Sequence, residues 1–130
     1  MPDDDWPEAL EPDTTGYTVL TDDRIVGFAQ WYFEADPQYR HAGLDLFLSA
    51  EVHGLGLGTE VIRVLCTHLI DDHHHHRLVI DPNVANAAAI ACYRKVGFTE
   101  VGVMREYEMR HDGTWEDGLL MDLLAREFVR

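Results

Sequence analysis

The sequence predicts a single α/β domain, with one mixed sheet layer and helices on its faces. Three features carry that expectation. β-rich runs dominate both ends of the chain, two runs with helical spacing lie between them, and Asp112-Gly113 signals a tight hairpin. At 130 residues the chain can bury one core without disulfide or metal staples.

The elements follow in order. Met1–Gly16 carries Pro2, Pro7, Pro12 and six acidic side chains, and reads as an irregular acidic segment ahead of a domain spanning 17–130. Trp6 and Leu10 would pin one turn of it to the body. Tyr17–Leu20 and Arg24–Phe33 are two β-rich runs around the polar turn Thr21-Asp22-Asp23, a hairpin that Asp36-Pro37 ends. Leu44–Ser49 is a third strand, with Leu44, Leu46 and Leu48 on one face and Asp45 and Phe47 on the other. Thr59–Ile70 has the helical stripe Val61, Ile62, Leu65, Leu69, closed by Asp71-Asp72 and His73–His76. Leu78–Ile80 is a short buried strand before Asp81-Pro82, and Asn86–Val96 is a second helix with Gly97 as its C-cap. Glu100–Arg110 and Glu116–Leu124 are the last two strands, giving β-β-β-α-β-α-β-β with no internal repeat.

Ten Lys and Arg against 24 Asp and Glu leave a net charge of −14. Such a surface excludes binding to a phosphate backbone, which needs a basic footprint, and it concentrates cations by long-range steering. Cys66 and Cys92 fall inside predicted helices and read as small apolar residues, not a disulfide framework. Met1–Glu11 has no apolar run of the signal-peptide kind, and no stretch is long enough to span a bilayer, so a cytoplasmic protein is expected. The His73–His76 run is expected to be a solvated loop and not a metal centre, because four adjacent side chains cannot converge on one ion.

The chemistry starts at His53-Gly54-Leu55-Gly56-Leu57-Gly58-Thr59, between a strand and a helix. Glycines let a backbone approach a pyrophosphate, and free amides at a helix start supply donors and a favourable dipole. A Walker loop would need a Lys before Thr59, which Gly58 replaces. A dinucleotide fingerprint spaces its third glycine differently, although Asp81 lies near the distance its acidic residue would take.

Downstream, Asp81-Pro82-Asn83-Val84-Ala85-Asn86 leads into Cys92-Tyr93-Arg94-Lys95-Val96-Gly97-Phe98. Together with the glycine loop, this block resembles the GNAT acetyltransferases, over residues 17 to 125. Their signature is Arg/Gln-x-x-Gly-x-Gly/Ala, and here His53 stands in the first position. The resemblance implies a mostly antiparallel mixed sheet with helices on both faces and a site for acetyl-CoA, with no metal. The Phe47-Leu48 strand end and the loop His53, Gly54, Leu55, Gly56, Leu57, Gly58 and Thr59 would hold the cosubstrate. A backbone amide near Leu48, at a bulge in the family's strand, would polarise the thioester carbonyl. Asn86 would contact the pantetheine arm, and Tyr93 would protonate the departing thiolate. A phenol suits that task, being neutral at pH 7 and able to donate to developing negative charge. Family members usually carry a strand and one or two helices ahead of the first hairpin, a unit that walls the acceptor site. Its place here is taken by Met1–Gly16, which implies a late start, a partner chain filling the gap, or an open cleft.

The acceptor is read from carboxylates. Asp45 sits on the strand before the glycine loop and Asp81 at the end of the next, neighbours in that fold, where a carboxylate can hold an ammonium and take its proton. Gly43–Phe47 with Asp81-Pro82 resembles the aminoglycoside 6'-N-acetyltransferases. Glu34 and Asp36 would add negative charge at the same mouth, and Trp31 and Tyr32 would stack on a ring. Gly102–Glu106 and the Asp112–Leu124 hairpin look equally like the ribosomal-protein and polyamine branches. A coenzyme-binding protein without catalysis, or an obligate homodimer, are the competing readings.

Overall fold

The computed structural model describes residues 14–130, so the expected anchoring by Trp6 and Leu10 lies outside the described residues. β1 (Thr14–Thr21), β2 (Arg24–Glu34), β3 (His41–Leu48), α1 (Leu57–Thr67), β4 (Arg77–Ile80), α2 (Ala87–Val96), β5 (Thr99–Met109) and β6 (Trp115–Leu124) follow in the expected order. They build one six-stranded sheet, ordered β1-β2-β3-β4-β6-β5, in which only β3 and β4 run parallel.

The local chemistry explains the boundaries. Asp22 and Asp23 take φ of 50° and 63°, the left-handed pair that a two-residue hairpin needs and that Asp tolerates. β1 starts three residues before Tyr17, because Thr14, Thr15 and Gly16 pair with Tyr32, Trp31 and Gln30. The segment assigned to irregular structure thus lends its last residues to the sheet. α1 gives way to a π turn over His68–Asp72, which carries Leu69 into the core.

Apolar residues of one strand parity (Ala29 and Trp31, Ala42 and Leu44, Leu78 and Ile80, Leu119, Met121 and Leu123) form a single core with α1 and α2. Ile62, Leu65 and Cys66 come from α1, and Ile90, Tyr93 and Val96 from α2. Each fully buried Leu or Ile contributes roughly 2 kcal/mol by leaving water. Both described helices therefore cover the same face, where helices on both faces were expected. An amphipathic stripe shows that a helix has a buried side but not which side of the sheet receives it. The mixed, mostly antiparallel sheet is as expected.

Of the four histidines after α1, His75 is buried and the other three are exposed. Among the described residues its Nδ1 has no hydrogen-bond partner, and no group of three or more metal-ligating side chains converges. Burial, then the charges of Arg40, His73, His41 and His76, hold its pKa at about 4, below the ordinary 6.5. The folded state therefore resists a proton that the unfolded chain accepts. Stability should be full above about pH 6.5 and decline as the pH falls toward 4. Thermal melts across that range should show the decline, and His75→Phe should flatten it; an equal slope in the variant would assign the loss to the carboxylates.

Candidate active site

β3 and β4 are joined only at Ala42↔Leu78 and Gly43↔Val79, although β3 continues to Leu48. Beyond those two pairs the strands splay. Ser49 donates its N–H to Val26 O at 2.8 Å, which fixes the phase of the β2–β3 ladder. In an antiparallel pair the amides alternate in direction, so the N–H groups of Leu46 and Leu48 face the splay. The register between β2 and β3 runs without a shift through Leu48↔Gly27. The exposed amide at Leu48 is thus produced by divergence from β4 and not by the bulge expected there. Leu48 O accepts from His53 Nε2 at 2.8 Å, tying the glycine loop to the strand end.

A cleft of about 430 Å³ opens along this splay and is lined by Leu48, His53, Gly54, Gly56, Leu57, Gly58, Thr59, Asn86 and Tyr93. Gly56 is the N-cap of α1 with φ 78°, a left-handed position that suits glycine, and Cβ atoms added at Gly54 or Gly56 would meet nothing within 4 Å. The first helical amides, those of Leu57, Gly58 and Thr59, therefore face open space, as a phosphate requires. The chain's single lysine, Lys95, lines the same cleft. In a protein with 24 acidic residues, a cation beside free helix-start amides fits the pyrophosphate and phosphate groups of coenzyme A. Phe47 and Leu55 do not line the cleft: Phe47 shares the parity of Asp45, and Leu55 is 73% exposed. Cys92 does line it, sharing a 3.0 Å hydrogen bond with Thr59 Oγ1, whereas Cys66 is sealed in the core with its thiol pushed up to about 12 by burial.

Asn86 is the N-cap of α2, its Oδ1 accepting from Ala89 N–H at 3.1 Å. That bond orients the side-chain amide so that its NH2 end is available toward the cleft. Tyr93, about two helical turns beyond Asn86, is 6% exposed. Burial, followed by the charges of Cys92, Asp45 and Asp81, raises its phenol above the ordinary range, so it stays protonated at neutral pH.

On the sheet face away from the helices, Asp45 and Asp81 each stand two residues beyond the last β3–β4 pair, Gly43↔Val79. They flank the open end of the splay. Gln30 donates to Asp45 Oδ2 at 2.9 Å, and the Tyr107 hydroxyl donates to Asp81. Burial raises the pKa of Asp81, the Tyr107 bond opposes this, and the charge of Asp45 adds to it. Tyr32 lies flat over Gly43, where an added Cβ would fall 2.0 Å from its ring, and its phenol is raised by burial, then by Asp81 and Asp45. Two carboxylates between two tyrosines can hold an alkylammonium and lower the barrier to its deprotonation.

Trp31, Glu34 and Asp36 do not join them. Trp31 is a core residue on the helix-facing side, with Nε1–H donating to Tyr17 Oη at 3.1 Å and its ring 4.9 Å from that of His73. Adjacent strand residues point to opposite faces, so it cannot share a ligand with Tyr32. Glu34 pairs with His41, four residues along β2 from Gln30, and accepts from Asp36 N–H at 3.1 Å. Asp36 in turn accepts from Gln38 N–H at 3.0 Å. Both carboxylates are occupied in their own turn. The sequence reading missed Gln30, Cys92, Lys95 and Tyr107. Gln30 was recoverable from the hairpin register, and Lys95 from its being the chain's only lysine.

The sequence profile of the acetyltransferase (GNAT) family matches residues 1–98. The chain is similar to an aminoglycoside N(6')-acetyltransferase type 1 of Klebsiella pneumoniae, 33% identical over 102 residues that cover 69% of this chain and 50% of that enzyme. A kanamycin resistance protein of Rhizobium radiobacter is 39% identical over 75 residues, covering 57% of this chain and 68% of its own length. The chain thus spans about half the length of the first of these relatives. Among solved structures, Mycobacterium smegmatis RimJ in complex with CoA-disulfide superposes with a TM-score of 0.80 at 23% identity, over 91% of this chain and 56% of that one, a likeness of fold. No helix among the described residues is long and apolar enough to cross a membrane.

Proposed function

This chain belongs to the acetyltransferase (GNAT) family, and on that premise we propose that it transfers an acetyl group from acetyl-CoA to a primary amine of a small cationic acceptor, of the aminoglycoside kind. The observation that carries the acceptor class is the pair Asp45 and Asp81 at the open end of the splay, between Tyr32 and Tyr107, within electrostatic reach of Tyr93. The glycine loop and Lys95 hold the phosphates, and the outward N–H groups of Leu46 and Leu48 take the amide-bearing arm as a strand would.

Asp81, its pKa raised by burial, accepts one proton from the substrate ammonium. The freed amine lone pair attacks the thioester carbonyl carbon, and the Leu48 amide stabilises the oxygen as it gains charge. The C–S bond breaks, the sulfur takes a proton from Tyr93, and the nitrogen's second proton restores the phenol through solvent. The products are the acetamide, the free thiol and one proton.

Each charge contact in a partly open cleft is worth on the order of 1 kcal/mol, or about fivefold in affinity. Asp45→Asn should therefore raise KM for a kanamycin-type acceptor about fivefold, and the wild-type KM should climb with salt. Asp112→Asn should leave both that KM and its salt dependence unchanged, since that carboxylate caps Thr114 in the far hairpin. Thiol release measured against kanamycin-type sugars, spermidine and a peptide with a free amino terminus, at low and moderate salt, tests the reading. A salt-insensitive preference for the peptide would move the enzyme to the protein-acetylating branch.

A further inference from the structure

We propose that Tyr107 is a positioning residue for Asp81, delivered to the carboxylate by a bulge in β5 and holding it at the open end of the β3–β4 splay. The proposal rests on the functional reading above, where Asp81 meets the acceptor ammonium.

The bulge is costly and specific. Met104 pairs with Gly118 and Glu108 with Glu116, so three β5 residues, Arg105, Glu106 and Tyr107, face the single Asp117. Glu106 takes φ 49°, a left-handed conformation uncommon for a non-glycine residue, and its N–H is held by Asp117 Oδ1 at 2.8 Å. Bulges of this kind re-aim a side chain, and here the one re-aimed is Tyr107. Its ring lies on Gly118, where an added Cβ would fall 2.7 Å from the ring edge. Tyr107 nevertheless stays 48% exposed, so packing alone gives little return for the distortion.

The two ends of the Tyr107–Asp81 bond share one anchor. Val84 N–H donates to Asp117 O at 3.1 Å, Asn83 bridges Gly118, and Leu119 N–H donates to Pro82 O at 2.8 Å. The turn that follows Asp81 is therefore fastened to the same short piece of β6 that shapes the bulge. The Tyr107 hydroxyl closes this frame, leaving the carboxylate one fixed orientation.

The groups that face Asp81 are Tyr107 from β5, Asp45 from β3, Tyr32 from β2 and Tyr93 from α2. The Tyr107 bond is the larger of two contacts that favour its ionised form, the other being a backbone hydrogen bond, while burial and Asp45 oppose it. Without the hydroxyl, Asp81 holds its proton to higher pH and the base is lost at the acid end of the profile.

Tyr107→Phe should move the acid limb of kcat/KM upward by about one pH unit, a loss of about tenfold on that limb, with KM for acetyl-CoA unchanged. Carboxyl 13C titration, with Asp81 assigned by comparison with Asp81→Asn, should move in the same direction and needs no acceptor turnover. Gly118→Ala keeps the phenol but lifts the ring from its platform, and should shift both readouts likewise. An unchanged profile and titration in either folded variant would overturn the proposal. Should the wild type acetylate no amine, the acceptor reading fails while the titration still decides Tyr107.

Discussion

Tyr93→Phe is expected to lower kcat for amine acetylation about a hundredfold or more, while KM for acetyl-CoA changes little. Loss of a positioned general acid typically has that effect on rate. The phenol is suited to the step because its burial among Ile90, Val96 and Phe98 keeps it protonated at neutral pH, so the proton is present when the thiolate forms. Phenylalanine preserves the ring and its packing against Phe98, 6.2 Å away between centroids, so the fold should be unaffected. Steady-state kinetics with saturating acceptor, paired with a thermal melt, separate the two roles. A folded variant with wild-type turnover would return Tyr93 to the core alone.

Gly56→Glu should abolish acetyl-CoA binding, by at least a hundredfold in calorimetric affinity. The new side chain would enter the space before the Leu57, Gly58 and Thr59 amides and bring an anion where a phosphate is needed. A side chain at φ 78° also costs the backbone about 1 kcal/mol. Gly113→Glu supplies the matching control, since Gly113 has φ 85° and open space around it but lies in the β5–β6 hairpin. It should lose comparable stability and keep its affinity. Equal affinities in the two variants would dissociate the glycine loop from the cosubstrate.

How much of this was legible in the sequence depends on the range of the forces involved. The strand and helix order was legible because period and turn chemistry are local: Asp22-Asp23, Asp112-Gly113 and Gly97 each sit at the turn or cap their types imply. The glycine loop and Asn86 were legible for the same reason. Trp31 was misassigned against local information, since alternation alone separates it from Tyr32. Glu34 and Asp36 share the neighbourhood of Asp45 in sequence pattern but spend their carboxylates on their own turn. Tyr107 was beyond reach. Its direction depends on a register shift between β5 and β6, which is settled by pairing across the sheet and by the space over Gly118.

Two residue pairs join the halves of the sheet across β3 and β4, and that economy separates two kinds of recognition. In the proposed reaction the arm of the cosubstrate meets main-chain groups of β3 and α1, which every residue possesses and which point mutation scarcely alters. In the proposed reaction the acceptor meets Asp45, Asp81, Tyr32 and Tyr107, all of them side chains and all replaceable. An inherited donor and a changeable recipient follow from that division. Drift at the four side chains can redirect the chemistry from one amine to another while the thioester end is conserved by the shape of the backbone itself.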